Sequence, residues 1–514
     1  MIVVVGGGHQ GLVAAIHLAA AGQRVLVLEA APEPGGAVTS GQDTLPGFVH
    51  DRCSAFFPLA AASPAFAELG LERRGLAWVN PDVPMVHLLP GGRAVALHRD
   101  LAATAASLEE CSPGAGAAWE RLVGRLWPQR ENLMRAALSP FPPLRPASAL
   151  ALGLRVDAVR LARQLLGPVA RLGRELFGDD DAAAWLAGSA AHSDLSPRAP
   201  GSGALGLVLN LLGHVVGWPY PRGGAGRLTE ALVARLCELG GEVRCRSPVT
   251  RVELGPGGVQ GLTLADGERL GADAVIATVG PARLLWMLPP DALPARLRRR
   301  LAGWRYGLGT LKVDYALAAP VPWDSPTARR AGVVHVGGSL AEVTAAQEQA
   351  RAERMPARPM LVVGQHTLGD PSRAPSGRHT LYAYARVPSR PGLGEAQLVE
   401  RVDARIEEFA PGFRDVVLAR AVRTPERIER DNPSLVGGDL AAGSLDLDQQ
   451  LVLRPTLRLA RHRTPIPGLY VAGAATYPGP GVHGVSGRAA ADAVLTDLRR
   501  ARVRRAARSV RRSR

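Results

Sequence analysis

Three glycines, Gly6, Gly8 and Gly11, and an acid, Glu29, are the residues near the start of this chain whose types and spacing can do chemistry. A Gly-x-Gly-x-x-Gly turn makes room for a pyrophosphate. The first glycine turns sharply off a strand, the second has no Cβ to obstruct the phosphates, and the third lets the following helix lie close to the sheet. The phosphates then meet the positive end of that helix. An acid closing the second strand accepts a hydrogen bond from a ribose 2′-hydroxyl and repels a 2′-phosphate, which selects an FAD- or NAD-type dinucleotide over the NADP type.

These residues need a strand, a helix and a second strand to position them, and the flanking sequence supplies all three. Ile2 to Val5 is an apolar run, an Ala-rich stretch follows the glycines, and Val25 to Leu28 runs into Glu29, the order that the motif requires. Farther along, the pattern turns helical and rich in Ala, Leu and Arg from about Asn80 to Trp218. A βαβ-like texture returns at Gly223 to Gly226, with a helix over Leu228 to Leu239 and short strands up to Thr278. Apolar strands then alternate with Pro- and Gly-rich loops. Pro467 to Gly473 is one more strand leading into a glycine turn.

This organisation predicts an α/β fold: a Rossmann-like FAD-binding domain, discontinuous in sequence, with an inserted α+β substrate domain. Residues 1–79, 220–299 and 441–498 would form the first. Residues 80–219, mainly helical, and 300–440, sheet plus helices, would form the second. Residues 499–514 would be a basic tail with a frayed end.

Composition narrows the function classes. A chain of 514 residues, 46% hydrophobic, has interior enough for a cofactor and a substrate. Nine arginines between Arg499 and Arg514 supply most of the +15 net charge, and only 4% of the chain is aromatic. A nucleic-acid partner is therefore not expected. The tail reads as a solvated end or as a weak electrostatic tether to an anionic membrane or to nucleic acid. Cys53, Cys111, Cys237 and Cys245 form no CxxC pair, which argues against zinc, a disulfide framework or a redox-active dithiol. No metal-ligand cluster, nucleophile elbow or acid pair stands out. The first strand begins at residue 2, leaving no space for a secretory leader, so a cytoplasmic location is expected. The longest apolar run, Ala204 to Val216, is interrupted by Asn210 and His214 and reads as a buried helix of the substrate half.

Two glycine-rich turns almost the whole chain apart call for one long ligand, and no second fingerprint for a nicotinamide is present. FAD fits, with its flavin near Gly473 to Gly484. There, small residues admit the backbone, and a helix expected to begin at Val482 would offer free N–H groups to negative charge. The chain here resembles the phytoene desaturase-like FAD-dependent oxidoreductases, which include carotenoid desaturases, retinol saturase and the pyridine nucleotide-disulfide oxidoreductase domain-containing protein 2 group. The likeness is carried by GGGHQGLVAA at Gly6 to Ala15, the block from Glu29 to Gly36, PGFVHDRCSAFF at Pro46 to Phe57, GWPYPRGGAGRLTEAL at Gly217 to Leu232, NPSLVGGD at Asn432 to Asp439, and the stretch from Thr464 to Ala490.

The resemblance implies that Gly6, Gly8 and Gly11 meet the pyrophosphate and Glu29 the adenosine ribose. It sets Gly35 and Gly36 along the ribityl side, the Val249 backbone against adenine, and Gly473 with Ala474 near the second phosphate. Gly481, Val482 and His483 would border the ring, making His483 a candidate for proton exchange. Ala37 and Pro480 depart from the family pattern, which has arginine and glycine there.

The chain has a single lysine, Lys312, among 61 basic residues, so this one stands where a guanidinium does not serve. In the alternating strand Gly309 to Leu317 it shares a face with Asp314, opposite Leu311, Val313, Tyr315 and Leu317. The strand resembles that of amine oxidases whose lysine holds a water at the flavin, which implies a catalytic Lys312; a salt bridge with Asp314 or solvent exposure is the structural alternative. Tyr220 and Tyr477 are candidates for the pocket wall or for packing, while Asp370 and Asp179 to Asp181 read as solvated loop charges.

The function expected from these features is an FAD-dependent oxidoreductase that desaturates or saturates a lipophilic, isoprenoid- or carotenoid-like substrate, with dioxygen or a quinone as possible acceptor. A flavin amine oxidase or monooxygenase, and a flavin-binding regulatory protein with little turnover, are the alternatives.

Overall fold

The computed structural model describes residues 1–512, with side chains for residues 1–504. Its first layer is a five-stranded parallel sheet in the order Leu469–Val471, Ala274–Ala277, Ile2–Val5, Val25–Leu28, Glu242–Arg244. Three widely separated stretches of chain thus contribute to one sheet. Ile2 and Val4 enter one core and Val3 and Val5 the other, which is why the strand is a continuous apolar run rather than an alternating one. Helices His9–Ala20, Gly226–Glu238 and Val485–Arg512 cover one face. The first and last cross so closely that a Cβ on Gly487 would come 2.0 Å from the Gln10 carbonyl oxygen. A three-stranded antiparallel sheet of Val249–Gly255, Gly258–Leu264 and Arg269–Gly271 joins the core on the other face.

The second layer is a seven-stranded mixed sheet in the order Val417–Arg423, Gly309–Leu317, His379–Val387, Leu361–Gly364, Ala331–Val336, Val83–Leu88, Ala94–Leu97. Its last two strands come from the stretch expected to be mainly helical. Every residue of Val83–Leu88 is buried, so the run carries no alternation that would mark it as a strand. The helices that follow, from Leu101 to Val215, pack against this end around Trp119 and Trp185, whose rings meet edge-on at 5.1 Å.

On one side of the large sheet Leu311, Val313, Tyr315 and Leu317 pack with Leu398, Val402 and Ile406 of helix Glu395–Glu407. The other side carries Thr310, Lys312 and Asp314, paired in register with Arg386, Tyr384 and Tyr382 of the neighbouring strand. The arginine-rich stretch, expected to fray, is helical as far as Arg512; residues 513 and 514 lie outside the described residues. No helix among the described residues is long and apolar enough to cross a membrane.

Candidate active site

The two layers enclose a cavity of about 1240 Å³, larger than the roughly 300–1,000 Å³ that one small ligand occupies. At one end its wall is glycine backbone. Gly6 sits at φ +104°, and a Cβ there would lie 2.4 Å from the Thr278 hydroxyl oxygen, which donates to the Val5 carbonyl at 2.8 Å. A Cβ on Gly11 would lie 2.1 Å from the Gly6 carbonyl oxygen. A Cβ on Gly8 would meet only the Gly35 carbonyl, 3.9 Å away, and would stand in the cavity that Gly8 lines. Gly8 therefore keeps space open for a ligand, whereas Gly6 and Gly11 hold the turn together.

Glu29 lines the same end. Its Oε2 accepts from the Gly7 N–H at 2.7 Å and its Oε1 from the Ala31 N–H at 2.8 Å. Each oxygen keeps a lone pair for a ribose hydroxyl. Gly36, Val249, Gly473, Ala474, Gly481 and Val482 all lie on the wall, extending the cradle from the adenosine end toward the large sheet. Gly35 does not. Its φ of +126° and the Thr39 methyl, 2.7 Å from where its Cβ would be, make it a packing residue, and its N–H donates to the Gly7 carbonyl.

The last helix begins at Val485 and not at Val482, because Gly484 at φ +70° cannot be helical. Its first donors are already engaged: Val485 N–H donates to His483 Nδ1 at 3.1 Å and Gly487 N–H to Gln10 Oε1 at 2.9 Å. The free helix end expected beside the flavin is therefore capped from within. His483, with Nδ1 accepting, must carry its proton on Nε2, which donates to the Gly479 carbonyl at 3.1 Å. Burial lowers its pKa to about 4, so it is neutral, saturated and behind the wall. It clamps the loop that presents Gly481 and Val482.

Lys312 is also behind the wall. It is buried and paired with Asp314, and its Nζ lies 5.1 Å from the centroid of the Tyr382 ring. Tyr382 and Cys53 line the cavity there. Asp370, expected in solvent, is instead fully buried against Arg373, which also bonds Asp51 at 2.7 Å. Asp179 caps helix Asp180–Ala190. Tyr220 donates to the His366 carbonyl at 2.8 Å and Tyr477 packs on Phe141; both are packing residues.

Side chains form the far end of the cavity: Phe56, Leu205, Leu209, Trp218, Tyr382 and Tyr384. The two tyrosine rings are stacked, 6.2 Å apart and inclined by 13°. Tyr384 Oη is 3.2 Å from His192 Nδ1, and His192 Nε2 is 2.9 Å from His335 Nε2. Burial lowers His192 to about pKa 3, so its ring is neutral and shares a hydrogen bond with the Tyr384 hydroxyl. Tyr384 and His192 are the titratable groups that sequence reasoning missed here. The only signal was the alternation of Tyr382, Tyr384 and Arg386; nothing local to His192 announces its partner 192 positions away.

The wall fits an elongated dinucleotide at the glycine end and is lined mainly by aromatic and aliphatic side chains at the other. A model of flavin-containing amine oxidoreductases matches residues 11–495. Pyridine nucleotide-disulfide oxidoreductase domain-containing protein 2 of Mus musculus is 28% identical, over 97% of this chain and 93% of its own. Phytoene dehydrogenase of Streptomyces griseus is 29% identical, over 82% of this chain and 78% of its own. In fold, an oxidoreductase from Methanosarcina mazei superposes with a TM-score of 0.66 at 18% identity, over 96% of this chain and 99% of that one. The cofactor that the wall accommodates is FAD, and the chain belongs to the flavin-containing amine oxidoreductases.

Proposed function

We propose that this FAD-dependent oxidoreductase removes, or adds, a hydride and a proton at a carbon–carbon bond of a lipophilic, isoprenoid- or carotenoid-like substrate. FAD, when bound, supplies the two-electron acceptor or donor. The observation that carries the reading is the far wall: aromatic and aliphatic side chains with no free carboxylate to meet an ammonium group. Of the acids on the wall, Glu29 and Glu33 belong to the dinucleotide end, and Asp43 and Asp431 are held by Arg423 at 2.8 and 2.6 Å. Such a surface excludes water and places an apolar chain by shape. The phytoene dehydrogenase relative agrees with this class of substrate.

Tyr384 and His192 hold a proton at the cavity edge, within reach of a bound chain. Lys312 and His483 serve from behind, the first beneath Tyr382 and the second under the Gly481 loop. In the removing direction dioxygen or a quinone takes the electrons, and in the adding direction a reductant supplies them to the flavin. An apolar substrate also suits contact with a membrane surface. Besides the basic end of the chain, Leu152, Val156 and Val159 are each more than three-quarters exposed on two consecutive helices and the turn between them, a stretch that also carries Arg145, Arg155, Arg160 and Arg163.

The test begins with anaerobic protein. FAD-loaded protein is photoreduced and mixed with air, a quinone, or an isoprenoid hydrocarbon in detergent, and oxidised protein is mixed with the hydrocarbon or a primary amine. Flavin turnover with the isoprenoid and not with the amine is the expected result. Bleaching by the amine alone would transfer the protein to the amine oxidases, and a flavin inert to every partner would make it a regulatory carrier.

A further inference from the structure

On the far wall, beside Tyr384, lies Arg386. Its Nη1 donates to the Thr310 hydroxyl at 2.8 Å and its Nη2 to the His192 carbonyl at 2.5 Å. A guanidinium has five N–H donors, and here Nε is buried with no partner. No carboxylate among the described residues comes within ion-pair distance of it. Asp194, which feels its charge from farther off, is already accepting from the Ser444 hydroxyl and the Leu445 N–H at 3.1 and 3.2 Å. The other arginines on the wall differ in setting: Arg52 and Arg423 are paired with acids, Arg427 and Arg430 are exposed, and Arg283 is partly open to solvent. Arg386 is thus a part-buried cation, fixed in place by two neutral acceptors and facing a cavity that otherwise offers apolar surface.

We propose that Arg386 is an anchor for an anionic headgroup, so that the substrate is a lipophilic chain ending in a carboxylate. The inference rests on the lipophilic-substrate reading above and narrows it. A cation left without a counter-charge in a low-dielectric wall is costly, and a ligand carboxylate offsets that cost through the charge and the N–H hydrogens that the terminal nitrogens have left over. A single guanidinium balances one negative charge, which favours a carboxylate over a diphosphate. The neighbouring imidazole of His192, held neutral, adds no second cation. Arg386 also repels an ammonium group, in line with the absence of a free acid nearby.

The experiment titrates FAD-loaded protein with farnesoic acid, farnesol and farnesyl monophosphate, read by perturbation of the flavin spectrum and of tryptophan fluorescence. Wild-type protein is expected to bind the acid about ten- to a hundredfold more tightly than the alcohol. In Arg386→Gln the acid and the alcohol should come within about threefold of each other, while Arg386→Lys keeps part of the preference. Both variants should retain full FAD. Equal binding of acid and alcohol to wild-type protein overturns the anchor and leaves the lipophilic reading standing; binding of none of the three overturns the reading beneath it. A preference for the phosphate overturns the carboxylate assignment, and loss of FAD from Arg386→Gln would make Arg386 a cofactor contact instead.

Discussion

At the dinucleotide end of the cavity the wall is mostly main chain, with Gly8, Gly36, Gly473 and Gly481 supplying backbone where side chains would intrude. At the proposed substrate end it is side chain: Phe56, Trp218, Tyr382, Tyr384 and Arg386, brought together from the loop after a hairpin, the segment after a helix and one strand of the large sheet. The first end recognises a ligand through groups that every residue carries, so only the conformation and the missing Cβ atoms matter. The second recognises through chemistry that particular residues carry, and so it is free to vary without disturbing the cofactor. Two identical cofactor ends can therefore serve different substrates.

Acid is the broadest way to break this comparison, since both ends hold imidazoles that burial keeps neutral. His192 and His366 are pushed down to about 3 and His87 to about 4 on the substrate side, His9 to about 3 and His483 to about 4 on the cofactor side. Each folded value lies below the ordinary 6.5, so the unfolded chain binds protons that the folded one refuses. Stability is complete above about pH 6.5 and falls as pH drops toward 4, by up to about 1.4 kcal/mol per unit for each ring. Thermal melts of holoprotein across that window, with flavin release and Trp218 emission followed together, should show both ends failing. A melt independent of pH there would contradict the neutral assignment.

Breaking one end alone requires substitutions. Lys312→Met leaves the buried Asp314 with only the His50 ring, 3.7 Å away and held below its ordinary pKa by burial, and is expected to cost about 3–5 kcal/mol, most of it recovered in the Lys312→Met, Asp314→Leu double variant. Reoxidation of flavin in protein that retains FAD should not change. A slower reoxidation at full FAD occupancy would return Lys312 to the chemistry. At the other end, Gly11→Ala forces a methyl onto the Gly6 carbonyl, costing about 1–3 kcal/mol together with the cofactor. Gly8→Val, with open space in front of it, should keep the melting temperature of the apoprotein and lose FAD. That contrast separates a glycine that holds the turn from one that makes room. The smallest effect is expected for Glu29→Gln, a weakening of FAD binding by about tenfold with the fold intact, measured by equilibrium dialysis.

Legibility in the sequence divides along the same line. The turn at Gly6 to Gly11, Glu29 at the end of its strand, and the alternation that sets Lys312 and Asp314 on one face of Gly309–Leu317 are all local, because strand and helix periods fix side-chain direction within a few residues. The strands Val83–Leu88 and Ala94–Leu97 escaped notice because burial on both faces erases the alternation. Asp370 reads as solvated because the pair it makes with Arg373, three residues on, is buried only when the Gly223 N–H and Asp51 arrive from distant loops.

The amino-acid sequence by itself determined the cofactor end, since a glycine's missing side chain and an acid's position after a strand act wherever the chain folds into that βαβ unit. The tertiary structure alone decided which titratable groups reach the cavity. Lys312 and His483, the natural candidates by type and position, find their hydrogen-bond partners in the protein and turn away from the cavity. Tyr384, His192 and Arg386 reach it, because the register of two sheet strands and the packing of a distant helix end against them place side chains that no spacing along the chain relates.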